Sequence, residues 1–333
     1  MTAVTTIDTS TAAPASRGPR GLLWAMLRIH RSALWFWVPL VIFGAGTLLW
    51  AYGPGADAAW AEFRKLGCDT GQPSLGCDDP GPAYGRYDTA VGLGGGVLGL
   101  APLLAAAWAG ASLIGRELED GTAQLAWTQS VTPARWLAAK LAVPAALLAS
   151  GTLVLTLLHR LVWSADGGPR LLNGSRDWHE STTFVANGPL ATAYTLLGLA
   201  VGVLAGLLLR RALPALGTAV VGLLALMYAL GDLRPHLWPV ETLTGKDVYP
   251  PYIGMVTGEG ALTSTGARVA DPICVDDAKC LAEHDIVGFY RDFHPSSHFW
   301  PLQLVETGIV LAVAGVAVLI SFRLLKRRSG AAV

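Results

Sequence analysis

Three acidic residues, Glu117, Glu119 and Asp120, stand where a long apolar run ends abruptly, with Arg116 before them and Gly121 and Thr122 after. Carboxylates at a helix C-terminus meet a macrodipole that is already negative, at a cost of about 0.3 to 1 kcal/mol each. The cluster therefore points to a basic partner rather than to self-stabilisation, and Leu125 and Trp127 offer apolar anchors for the same contact. Other groups fall short of a site. His294 and His298 have the i, i+4 spacing of metal ligands, but Pro295 lies between them and no adjacent acid completes a zinc set. Gly245 and Lys246 lack the upstream glycine and the following Ser or Thr of a phosphate loop, and neither GxSxG nor HExxH occurs. Glu306 lies one turn inside an apolar segment, where a carboxylate gates, couples to protons, reaches the interface or pairs with another helix. No catalytic residue, metal site, cofactor of the chain's own or nucleic-acid partner is expected.

The elements that must position these groups are read from hydropathy. The chain has 333 residues, 52% hydrophobic and 14% charged. Apolar runs cover about residues 33–52, 89–114, 137–158, 189–209, 212–230 and 302–325. Roughly 20 apolar residues cross a hydrocarbon core of about 30 Å. The expected fold is therefore all-α, a polytopic membrane protein with six spans forming one domain over residues 21–328 in the lipid bilayer. Residues 1–20 lack an apolar core and read as a disordered tail, and residues 21–31 suit an interfacial helix. Between the second and third spans Gly121 ends the helix in a left-handed cap, Thr122 opens a short amphipathic turn, and Thr132 with Pro133 starts the next helix. Residues 115–136 thus form a lateral helical elbow.

Glycines punctuate the spans at helical spacing. Gly92 with Gly96 and Gly95 with Gly99 in the second span, and Gly198, Gly202 and Gly206 in the fourth, predict close helix packing. The glycine-rich second span is not followed by GK[ST], so it is not a phosphate loop. Two polar stretches, residues 53–88 and 231–301, carry Cys68 with Cys77 and Cys274 with Cys280, each pair read as a local disulfide. The longer stretch is expected to hold short helices over the membrane surface.

Charge sets the orientation. With both termini cytoplasmic, thirteen of the 24 Lys and Arg and only four of the 24 Asp and Glu fall inside, so the formal net charge of zero conceals a steep asymmetry. The four cysteines then fall outside, where disulfides persist.

RELEDGTAQLAWTQSVTPARWLAAKL, residues 116–141, resembles the signature of the permease subunits of type two ATP-binding-cassette (ABC) exporters, in particular an actinobacterial group. GPLATAYTLLGLAVGVLAGLLLRRALPAL and FWPLQLVETGI resemble that group's hairpin of spans four and five and the start of its sixth span. A proline common in type two permeases is replaced here by Gln129. The resemblance implies a permease in the bacterial cell membrane that exports a substrate, with ATP bound by a separate ABC ATPase subunit and a second permease subunit completing a dimer. Arg116, Glu117, Glu119, Asp120, Gly121, Thr122, Leu125 and Trp127 would then make the coupling contact with the ATPase. Two other classes compete with it. A membrane sensor or immunity protein would bind a peptide through its outer loops, and a membrane enzyme would show an activity of the purified chain alone.

Overall fold

The computed structural model describes residues 28, 31–67, 81–128, 132–165, 177–246, 248–274 and 277–329. The tail, most of the expected interfacial helix and the Cys68 and Cys77 pair lie outside the described residues. Among the described residues, six helices are long and apolar enough to cross a membrane. The first begins with α1 (Arg31–Trp50), passes through a π-helical turn at Ala51–Gly55 that contains Pro54, and continues as α2 (Ala56–Lys65). The second is α3 (Gly81–Trp108), extended by a π-helical segment Ala109–Gly115 and the one-turn α4 (Arg116–Glu119). The short α5 (Thr122–Thr128) precedes the third, α6 (Pro133–Ser164). A single turn of helix, α7 (Ser181–Ala186), leads into α8 (Leu190–Leu209), which is joined to α9 (Ala212–Leu233) by two arginines. The last span is α11 (Phe299–Ser329).

The α8 helix occupies the centre, packed against α3, α6, α9 and α11. Its glycines make this possible. A Cβ on Gly198 would strike the carbonyl oxygen of Pro102, one on Gly202 that of Ala106, and one on Gly206 the Cβ of Ile114 at 2.8 Å. The three glycines therefore let α8 lie directly on the backbone of the second span, as their spacing predicts. Gly92 and Gly96 behave differently. A Cβ there meets nothing, so these two do not serve helix packing within the chain. Their neighbours Gly94 and Gly95 do, against Leu48 and, at 3.2 Å, His159 Nε2.

Large apolar side chains on the outer helices remain exposed, among them Trp35, Leu213, Tyr228 and Leu319. Exposed apolar side chains in this number belong against lipid or another subunit.

The expectation of an all-α chain fails in the stretch between α9 and α11. Strands β1 (Glu241–Gly245), β2 (Met255–Thr263), β3 (Arg268–Val269) and β4 (Ile286–His294) form an antiparallel sheet in the order β1-β4-β2-β3. The alternation in IVGFYRDFH gives β4, one of the two inner strands, a buried face made of Phe289, Arg291 and Phe293. Arg291 is held there by Glu259 at 2.8 Å, by the Pro250 carbonyl and by stacking on Tyr252 at 3.5 Å. A short helix in this unit, α10 (Ala278–Glu283), is capped by Asp277, and its Cys280 is bonded to Cys274, which precedes it.

Candidate functional site

The elbow follows its sequence signals closely. Asp120 ends α4, Gly121 adopts φ +71°, and the Thr122 hydroxyl donates to the Glu117 carbonyl at 3.2 Å. Thr132 is extended and its Oγ1 accepts from the Arg135 amide, with Pro133 as the first helical residue.

The acids, however, are not all waiting for a partner. Glu117 accepts from Lys140 Nζ at 2.6 Å, and Lys140, buried within α6, also donates to the Leu113 carbonyl at 3.0 Å. Glu119 accepts from the Ala212 amide at 2.9 Å, so its charge sits at the N-terminus of α9, where the helix dipole favours it. The expectation that the cluster does not stabilise its own chain is corrected on both counts. Two of the three carboxylates that are unfavourable on their own helix are thus satisfied by another one. Arg116 and Asp120, 76% and 58% exposed, pair only with each other, at 3.8 Å, among the contacts described for them.

Trp127 is likewise partly committed. It meets the buried Trp136 edge to face with centroids 5.8 Å apart, although its indole Nε1 has no hydrogen-bond partner. The position of the Leu125 side chain lies outside what is described.

At the opposite end of the bundle Glu306 is completely buried in α11. Arg234, in the 3₁₀ turn after α9, donates to it through Nε at 2.7 Å and Nη2 at 3.1 Å, and the Tyr194 hydroxyl donates at 2.7 Å. Arg234 also lies 4.3 Å from the centre of the Phe184 ring. The cluster ties α7, α8, α9 and α11 at one point. Of the readings open for Glu306, the structure places it in a pair with another element.

Beside this cluster is a cavity of about 680 Å³ between α3, α6, α7, α8 and α9. Gly92, Gly95, Gly96 and Gly99 form one wall, Tyr87, Trp163, Tyr194 and Tyr228 supply aromatic surface, and Asp88, Asp232 and His159 supply polar groups. His159 Nδ1 is 2.9 Å from the Asn187 side-chain oxygen. The open side of Gly92 and Gly96 thus faces a cavity rather than a helix. Sequence reasoning missed Asp88, His159 and Asp232 as members of one chamber, because three separate elements bring them together.

His294 and His298 do meet, with their Nδ1 atoms 3.0 Å apart. Folding brings the acid that the sequence does not place nearby: Glu241 is 3.4 Å from His298 Nε2. Among the described residues no group of three such ligands is arranged to hold a metal.

Six lipid-length helices, a central glycine-faced helix and an apolar exterior define a multi-pass membrane protein. Residues 39–234 match the family model described as ABC-2 membrane transporter related, and the chain belongs to that family. The match ends at Arg234, so it takes in the elbow and the residues lining the cavity. It identifies the chain as a membrane component of a transporter, whose family in general implies an ABC ATPase as partner. Comparison with curated proteins and with solved structures finds no match.

Proposed function

We propose that the chain is the permease subunit of an ABC exporter in the cell membrane, driven by a separate ATPase subunit docked on the elbow. The observation that carries this is the way the elbow is fixed. A part that transmits force must be stiffly joined to the helices it moves and must also present free groups to its driver. Glu117 joins it to α6 and Glu119 to α9, while Arg116 and Asp120 are paired with each other at 3.8 Å and exposed to a partner. Both termini and the elbow face the cytoplasm in this reading, and the sheet faces outward. The cavity beside Gly92 and Gly96 forms half of the path, with a second permease subunit completing it.

The experiment separates docking from folding. Arg116→Glu combined with Asp120→Lys reverses both exposed charges. The double variant is expected to lose the co-purified ATPase and transport while its melting temperature stays unchanged. Glu117→Gln instead strands Lys140 in the interior and lowers the melting temperature of the isolated permease. Undiminished ATPase retention and transport in the double charge reversal would overturn the docking role.

A further inference from the structure

A second cavity, of about 670 Å³, runs along the outside of the second span. On that span its lining recurs at helical spacing from Ala101 through Ala105 and Ala111 to Asp120. The nineteen steps from the first to the last of these residues, at 1.5 Å each, make it about 28 Å long, although the π-helical segment shortens this slightly. Its character changes along that length. Small residues floor it, and Trp37, Leu104 and Leu148 wall it, whereas the charged lining is confined to the elbow end, at Arg116, Glu117 and Asp120. A long apolar slot with one ionic mouth has the shape of a single lipid tail below a headgroup.

The mouth also selects among headgroups. Glu117 is already committed to Lys140, which leaves one cation and one carboxylate, Arg116 and Asp120, 3.8 Å apart and largely in water. A purely anionic headgroup would be attracted by Arg116 and repelled by Asp120. A choline headgroup offers Asp120 a cation without an N–H to donate. A phosphate joined to a primary ammonium answers both, with the phosphate on the guanidinium and the ammonium on the carboxylate.

We infer that this slot holds one phospholipid of the phosphoethanolamine class, its headgroup bridging Arg116 and Asp120 and an acyl chain lying against Ala105 and Ala111. The inference rests on the chain being a membrane protein and is independent of export. It gives the elbow a lipid contact beside the residues that join it to the bundle. Because the ATPase would dock on the same two groups, headgroup and ATPase compete for them, and the lipid is the occupant of the permease free of its ATPase.

The test uses the full-length permease equilibrated with vesicles of equal parts phosphatidylethanolamine, phosphatidylcholine and phosphatidylglycerol, followed by mass spectrometry of the intact protein with its bound lipid. Wild type is expected to retain one lipid, predominantly phosphatidylethanolamine. Arg116→Gln with Asp120→Asn removes both charged hydrogen bonds and is expected to lower retention of that lipid about tenfold or more relative to the other two. Ala111→Trp fills the slot and is expected to abolish retention of all three lipids. Its melting temperature, compared with that of Leu224→Trp on the exposed surface of α9, reports whether it remains folded. Equal retention of the three headgroups by wild type would overturn the inference. So would a phosphatidylethanolamine preference that survives the charge-removing double variant. Absence of any retained lipid on folded wild type would overturn it too, since the slot would then be filled by protein.

Discussion

Removing the carboxylate of Glu306 should be among the most damaging single changes in the chain. The residue is fully buried and receives three hydrogen bonds, two of them from a guanidinium that is itself buried. In Glu306→Gln the shape survives but Arg234 becomes an uncompensated interior cation, and breaking a buried pair in this way costs about 3 to 5 kcal/mol. Tyr194→Phe removes only one charge-assisted hydrogen bond, worth about 1.5 to 3 kcal/mol. Replacing both ions, as Arg234→Met with Glu306→Leu, leaves no stranded charge and should lie near neutral, because well-packed apolar pairs often match or exceed buried ion pairs. The double variant should therefore fall several kcal/mol short of the summed cost of its two singles. The assay is reversible unfolding of the detergent-solubilised permease by increasing denaturing detergent, with both singles and the double measured together. Additive losses would refute the idea that Glu306 and Arg234 stabilise chiefly by neutralising each other. A neutral Glu306→Gln would refute the burial argument itself.

Three further outcomes follow from other parts of the fold. Gly202→Val should disrupt the α8 contact with the second span, because even a Cβ would press on Ala109 at 2.7 Å, whereas Gly217→Ala and Gly222→Ala meet open space and should be neutral or slightly stabilising; melting temperatures decide this. Burial holds the His294 imidazole below its usual value, with His298 adding to the shift and the Pro235 carbonyl opposing it. The folded state thus binds fewer protons than the unfolded one, so the contribution of His294 is present above about pH 6.5 and lost as pH falls below it; hydrogen exchange of β4 at pH 7.5 and 5 should show faster opening at pH 5, and the difference should shrink in His294→Gln. Reducing the Cys274–Cys280 bond, which closes a seven-residue loop, should cost about 2 to 3 kcal/mol locally, loosening α10 to proteolysis while the six spans stay folded.

The spans were legible because apolar length alone reports them, and the elbow because each of its turns carries a local signature at Gly121, Thr132 and Pro133. The fourth-span glycines were legible for the same reason, since their spacing places them on one face. Partners distant in sequence were not. Glu119 reaches an amide 93 positions away and Glu306 an arginine 72 positions away, and nothing local in either segment names the other. The sheet was missed although β4 is rich in β-branched and aromatic residues. Its neighbour β2, MVTGEGALT, contains two glycines and bulges at Val256/Gly258 and Leu262/Thr263, which blur the alternation that marks a strand. Gly92 and Gly96 share the spacing of the fourth-span glycines but not their use, because spacing reports a smooth face and not what covers it.

The π-helical segment Ala109–Gly115 sits between the buried part of the second span and the elbow. Hydrogen bonding across five residues rather than four is equivalent to a single inserted residue within an otherwise regular helix. Such an insertion sets a phase: everything beyond it is turned back by about 100° and sits about 1.5 Å less far along the axis than in an uninterrupted helix of the same sequence. The compass bearing of Arg116 and Asp120 around the second span is therefore fixed by that one extra residue. Gly110 and Gly115 lie against the α9 backbone there, so closely that a Cβ on Gly110 would come 2.9 Å from the Ala215 carbonyl. Shifting the wide turn by one position along the helix would swing the elbow like the arm of a crank while leaving the buried half of the span in place.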